Sequence, residues 1–441
     1  MIRQRPVIGF ETKTGEKRPL FGPDNGVFIR PAVVQQYSAA ASFDFVTSPA
    51  VPSGMTFSRA STGNYLNSSG VLVSAAINTA RFDYNAAGTC RGLLIESATS
   101  NICLRSEDFA TTWTNVGTPT LAANSTVAPD GNTTASTITD SSTTAIQGKR
   151  QTITIANDGL KHTASIFIAK TVGAPTNFPL INLRLSGGTV VDMYLSINTT
   201  TGQILASSAA NASIIEYPSF WRIALSATNN TSGNTSLLLS IYPAGNSTLS
   251  IAVNTAATGS AVFWGAQVEK KDVCTSYVKT TTAAVSRSAD VAVFSSPAWL
   301  NTDVGTVVAS AKHLTLGPEA AVLEIGDGTN NNRVSITSRA NVSTAGMLVV
   351  DTGNTQADVT VANAFAANTS GKIASTYSDN AFQIATSSVL STRDTSGTAP
   401  AMTNVYVGAT GAGASHWNGW VENFSYYSVA MSDAELAYYA R

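Results

Sequence analysis

Side chains able to do chemistry are sparse in this 441-residue chain, and their spacing is poor for catalysis. The three histidines, His162, His313 and His416, form no His-x-x-x-His pair, so they predict structural or surface roles rather than metal ligation. No Gly-x-Ser-x-Gly elbow, phosphate loop or dinucleotide fingerprint occurs. A glycosidase needs only two carboxylates at a set separation, and the 27 acidic residues could supply a pair. Acids such as Asp130, Asp158, Asp327 and Asp379, however, stand in turn-forming sequence, where local capping accounts for them. Cys90, Cys103 and Cys274 are odd in number and lack metal-ligand spacing, which predicts small buried apolar residues rather than a disulfide or a metal site.

The aromatic residues offer a different chemistry. A sugar ring presents apolar C–H faces that stack on an aromatic side chain while neighbouring amides and carboxylates take its hydroxyls. Trp113, Tyr194, Tyr217, His416 and Trp417, the last two preceded by a Gly-Ala-Gly-Ala run, are the candidate carbohydrate-binding residues. Trp299 and Trp420 are weaker candidates, and Trp221 and Trp264 sit mid-strand and read as core. No catalytic residue, metal ligand or cofactor is assigned. Asp327 with Asn330, Asn331 and Asn332 offers loop oxygens that a calcium ion could use, although an Asn-rich turn explains the same residues without one.

The elements that must hold such residues are strands. Hydrophobic residues make up 43% of the chain and charged residues 12%, roughly half the usual share. Short uncharged polar residues take their place, which suits repeatedly paired β-structure. The length predicts two or three domains at about 100 to 200 residues each. A formal net charge of -1 leaves no basic footprint for nucleic acid or anionic lipid. The absence of an 18-residue apolar run and of a secretory leader predicts synthesis in a cytoplasm without membrane insertion.

Four regions follow along the chain. Residues 1–40 carry Pro6, Pro19, Pro23 and Pro31 and read as an extended N-terminal docking arm. Residues 41–105 read as a β-hairpin connector. From 106 to 284, stretches such as 164–169, 193–197, 221–226 and 262–268 alternate cleanly, and about eight of them predict an antiparallel jelly roll. The aromatic-rich run from Ala261 to Val293 marks the seam, after which residues 285–441 read as a second sandwich. That sandwich closes on a short helix opened by the capping box Ser432-Asp433-Ala434-Glu435. The fold class is therefore all-β.

Particular motifs carry a resemblance. Phe57-Ser58-Arg59-Ala60-Ser61-Thr62-Gly63, Arg81-Phe82-Asp83-Tyr84, Gly92-Leu93-Leu94-Ile95-Glu96 and Ser106-Glu107-Asp108-Phe109, followed by Trp264-Gly265-Ala266-Gln267-Val268-Glu269 and Thr275-Ser276-Tyr277, resemble a block of tailed-bacteriophage virion proteins. In those proteins the first four motifs precede a carbohydrate-binding-module-like jelly roll, and the last two end it. Val405-Tyr406-Val407-Gly408, Trp417-Asn418-Gly419-Trp420 and the capping-box helix look like a concanavalin A-like or laminin G-like sandwich. Cys103 stands where leucine is usual and Ala80 where proline is usual. The resemblance implies a non-enzymatic tail-fibre or tail-tip subunit of the virion that binds host cell-surface glycans. It also implies docking onto other virion proteins through residues 1–40 and homo-oligomers, trimers above all. A capsid head-fibre or decoration protein is the first alternative, and a glycan depolymerase the second.

Overall fold

The structure, a computed structural model, describes residues 9–11, 17–19, 35–173, 178–208, 212–245, 256–313, 317–340, 343–387 and 389–441. Met1–Gln36 and Tyr37–Arg441 are separate compact units. In the first, Gly9–Glu11 pairs antiparallel with Lys17–Pro19; the rest of the expected docking arm up to residue 34 lies outside the described residues. The strand expected over 249–253 falls outside them too.

The second unit holds two antiparallel β-sandwiches. In the jelly roll, two six-stranded sheets face each other. One has the central strands Gly148–Thr154, Ser236–Tyr242, Leu180–Ser186 and Val191–Ile197. The other is built around Ala135–Asp140, Gly259–Glu269, Lys161–Ala169 and Phe220–Thr228. Alternation puts Ile181, Leu183, Leu195 and Leu239 of one sheet against Ile166, Ile168, Ile223 and Leu225 of the other, all buried. The strand Gly259–Glu269 shifts register against Lys161–Ala169 near Phe167, where Gly265 adopts φ +64° and a Cβ would meet the Phe167 ring at 2.9 Å. This bulge re-phases the strand: Phe263, Ala266 and Val268 enter the jelly-roll core, and Trp264 turns to a second aromatic cluster with Phe167, Tyr217 and Tyr277.

The C-terminal sandwich begins earlier in the sequence than expected. Its first sheet includes Ala320–Gly326, Asn404–Val407, Val291–Ser295 and, at one edge, Met55–Ser58. Its second includes Val304–His313 and Gly419–Tyr427, with Cys90–Ile95 and Ala41–Asp44 both paired to the latter. The expected 41–105 connector is thus corrected: its strands complete the sandwich of residues 285–441, and Leu93, Ile95 and Phe45 sit in that core. Hairpin-like local sequence could not show that the partners lie over 200 residues downstream. The jelly roll is inserted between Thr99–Asn101 and Val285–Arg287, which pair with each other (Asn101↔Val285, Thr99↔Arg287) and form its neck.

Asp433–Tyr439 forms the expected helix, with Ser432 N donating to Glu435 Oε2 at 2.8 Å. Leu436 and Ala440 bury against Val308, Tyr427 and Met431, and Tyr37 N donates to Tyr439 Oη at 2.7 Å. Among the described residues no helix is long and apolar enough to cross a membrane.

All three histidines are buried. His313 stacks on Trp417 at a 3.5 Å centroid distance, and burial pushes its pKa from 6.5 down to about 4. The neutral ring is the folded form, so the unfolded chain binds the extra proton between those values. Stability therefore falls as pH drops from 6.5 to 4, by about 3 kcal/mol in total, and this contribution is flat below. Urea unfolding from pH 7 to 4 is expected to show a shallower slope in His313→Phe than in the parent, by that amount.

Candidate functional site

The structure sorts the sequence-predicted sugar-binding residues sharply. Trp113, Tyr217, His416 and Trp417 are only 4%, 8%, 6% and 0% exposed. Trp113 packs edge-on to Phe109 at 5.0 Å, Tyr217 edge-on to Phe167 at 4.9 Å, and Trp417 against His313 and Phe365. None of these rings is open to a sugar, a correction that follows from their service as core: a large aromatic contributes more apolar burial than any other side chain in a chain this poor in long residues. Trp420 is core as well, its Nε1 donating to Asp83 Oδ2 at 3.0 Å, and Trp299 is half-buried among Phe43, Phe294 and Tyr426. The expected Asn-rich turn holds Asp327: its carboxylate accepts from Thr329 N at 2.8 Å and Asn332 Nδ2 at 2.8 Å.

Tyr194 differs from the others. It lies on Val191–Ile197, half-buried, on the face of its sheet opposite the core. Strand pairing aligns Arg150, Ser240, Asn182 and Tyr194 in one row across four strands, with Arg184 and Asp192 paired in the next row. Asp192 organises this face. Its Oδ2 accepts from Tyr194 Oη at 2.7 Å and Arg184 Nη1 at 3.0 Å, and its Oδ1 from Asn182 Nδ2 at 2.6 Å. Arg150 donates through Nε to Ser240 Oγ at 2.9 Å. Burial and the bond to Asp192 push the Tyr194 hydroxyl well above its ordinary pKa, so it stays a neutral donor. Behind it, Tyr242, Leu180 and Ile146 form a small apolar cluster on which the Tyr194 ring rests.

This row combines an aromatic face with guanidinium, amide and hydroxyl groups held by short bonds on rigid strands. Asn182 and Ser240 are themselves buried, at 2% and 0% exposed, so the groups a polyhydroxylated ligand could reach are the part-exposed Tyr194, Asp192, Arg184 and Arg150. Two guanidinium groups against one carboxylate leave the network with a positive excess, and a single carboxylate does not supply the acid pair that glycoside cleavage requires. The row was visible only in part from the sequence: Tyr194 stood out as an aromatic in an alternating strand, but Arg150, Asn182 and Asp192 become neighbours only through the sheet register.

No family model matches the chain, and no curated protein matches it. Among solved structures it is similar to the NanB sialidase of Streptococcus pneumoniae, at 16% identity and a TM-score of 0.27 over 32% of this chain and 24% of that one. It is similar to the CBM22-1–CBM22-2 tandem of Paenibacillus barcinonensis Xyn10C at 10% identity and a TM-score of 0.26, covering 77% of this chain and 99% of that one. Domains LG4-5 of the mouse laminin α1 chain match at 10% identity and a TM-score of 0.23, covering 67% and 88%. At such scores none of the three decides a ligand, and the two-sandwich assignment rests on the sheets themselves.

Arginines and acids from the motifs that carry the resemblance, with Arg287 and Asp290, build a joint. Arg59, Arg81 and Arg287 are all buried around Asp290 and Glu96. Asp290 takes Arg59 Nη1 at 3.2 Å, Arg81 Nη2 at 2.5 Å and Glu96 N at 2.9 Å; Glu96 takes Arg81 Nη1 at 2.8 Å. Burial alone would raise the Glu96 carboxyl, but Arg287, Arg81 and Ser276 outweigh it and hold it at about 2. Ser276 N and Oγ donate to Glu96 at 2.6 and 2.7 Å, so the end of the jelly roll is bonded into the cluster. Glu269 ties one strand of the neck to the end of the jelly roll by accepting from Thr99 Oγ1 at 2.7 Å and Thr275 Oγ1 at 2.5 Å. A signal for this joint existed in the sequence: in a chain with 12% charged residues, these five stand beside apolar strands rather than in turns.

Proposed function

We propose that this protein is a non-enzymatic virion subunit of a tailed phage, a tail-fibre or tail-tip protein whose jelly roll binds host surface glycans through the Tyr194 row. The observation that supports it is the ordered network of Tyr194, Asp192 and Arg184, all part-exposed and fixed to the buried Asn182, on the outer face of the sheet. The motif resemblance and the two-sandwich architecture accord with it. Weak single-site binding would be multiplied by the copies in a homotrimeric fibre, where effective concentration supplies avidity.

The test incubates the purified protein with host envelopes and polysaccharides and scores co-sedimentation together with new reducing ends. Retention without cleavage is the expected result. Tyr194→Ala is expected to weaken retention by about 30-fold, the effect of losing a central aromatic contact worth roughly 2 kcal/mol. New reducing ends would establish a depolymerase instead, and no retention would favour the capsid decoration role.

A further inference from the structure

A cleft of about 380 Å³ opens where the hairpin of Gly63–Leu66 and Leu72–Ala75 meets the jelly roll, inside the ~300–1,000 Å³ range of small-molecule sites. It belongs neither to the Tyr194 row nor to the buried charge cluster, which it touches only through Arg287.

Its walls are preformed. Leu66 and Leu72 pack the hairpin into the aromatic cluster of Trp264 and Tyr277. Asn64 Nδ2 donates to Tyr277 O at 2.9 Å, Leu66 N to Asp83 Oδ1 at 2.7 Å and Leu72 N to Pro129 O at 2.8 Å. A ligand therefore meets a fixed shape and little ordering cost.

The lining sets the ligand class. Glu107 Oε1 accepts from Tyr277 Oη at 3.0 Å and Oε2 from Lys279 Nζ at 2.6 Å. A carboxylate offers about four acceptor positions, so each oxygen keeps capacity for a ligand hydroxyl. Asp130, on the opposite loop, accepts from Asn132 N at 3.0 Å and Nδ2 at 2.9 Å and keeps the same capacity. Lys279 is 56% exposed and has further donors. The formal charges of the lining cancel, Lys279 and Arg287 against Glu107 and Asp130, so neither a net anion nor a net cation is favoured. Between the polar groups lie Leu72, Val278 and Val285. Alternating carboxylates, an ammonium and aliphatic surface match the hydroxyl rim and C–H faces of a sugar ring.

We infer that this cleft is a binding site for a short uncharged saccharide, separate from the sheet-face site. Isothermal titration of the full chain with lactose, maltotriose and tri-N-acetylchitotriose, beside 3′-sialyllactose as the charged comparator, tests it. At least one neutral probe is expected to bind, to bind equally well in Tyr194→Ala, and to weaken tenfold or more in both Ser74→Trp, which fills the cleft, and Lys279→Ala, which removes a donor from its exposed mouth. Lys279→Ala keeps the test decisive if Ser74→Trp fails to fold. The inference is overturned if no neutral probe binds, if Tyr194→Ala abolishes the binding, if Lys279→Ala leaves it unchanged, or if sialyllactose binds better than lactose.

Discussion

Asp290→Ala is expected to destabilise the protein by about 3–5 kcal/mol, the scale for removing one partner of a buried ion pair. The side chain of Asp290 is fully buried and accepts from Arg59, Arg81 and the Glu96 amide. Without it, Glu96 is the one carboxylate left to the three buried guanidinium groups, and it pairs with Arg81 and Arg287 but not with Arg59, whose remaining bonds go to the neutral carbonyls of Ser61, Thr79, Ala75 and Ala76. The Lys170–Glu216 pair gives the contrast. It is as short, at 2.7 Å, but its side chains are 22% and 54% exposed, and Glu216→Ala is expected to change stability by less than about 1 kcal/mol. Urea unfolding followed by tryptophan fluorescence measures both. Equal losses in the two variants would show that the cluster is not a joint. Asp290→Asn retains the shape and is expected to fall between, since an amide can accept from one arginine but carries no charge.

Trp417→Ala is expected to cost about 3–5 kcal/mol, as for other buried large aromatics cut back to alanine. The indole is fully buried between His313 and Phe365 and donates through Nε1 to Lys312 O at 3.2 Å. Its loss leaves a cavity lined by His313, Phe365 and the surrounding core and removes the hydrogen bond to Lys312 O. Denaturation midpoints and glycan retention separate this role from a surface one. A variant that keeps the parent's stability yet loses retention would return Trp417 to the binding surface, contrary to its packing.

Trp417 also shows where sequence reading stopped. The residue sits in a Gly-rich loop context, which locally predicts exposure, but the loop folds back so that Trp417 N donates to Gly408 O at 2.8 Å and the ring drops into the core. Alternation identified Lys161–Ala169, Phe220–Thr228 and Ser236–Tyr242 because both their faces carry clear signals. It missed Asn354–Val361, an edge strand whose inward Ala357, Val359 and Val361 are small beside the outward Asn354, Gln356 and Asp358. The capping box was legible because its chemistry is local. The pairing of Met55–Ser58 with Val291–Ser295, by contrast, depends on contacts across an inserted domain, and no window of sequence contains both strands.

That insertion has a mechanical consequence. Thr99–Asn101 and Val285–Arg287 leave and rejoin the outer sandwich side by side, with Arg287 Nη2 bonded across to Ser97 O at 2.8 Å. Tension drawing the jelly roll away from the outer sandwich is shared by two strands in parallel, whereas domains strung in series would concentrate it on one linker. The load on the second strand passes through Arg287 into Glu96 and Asp290, so the neck pulls free only when those buried contacts are broken.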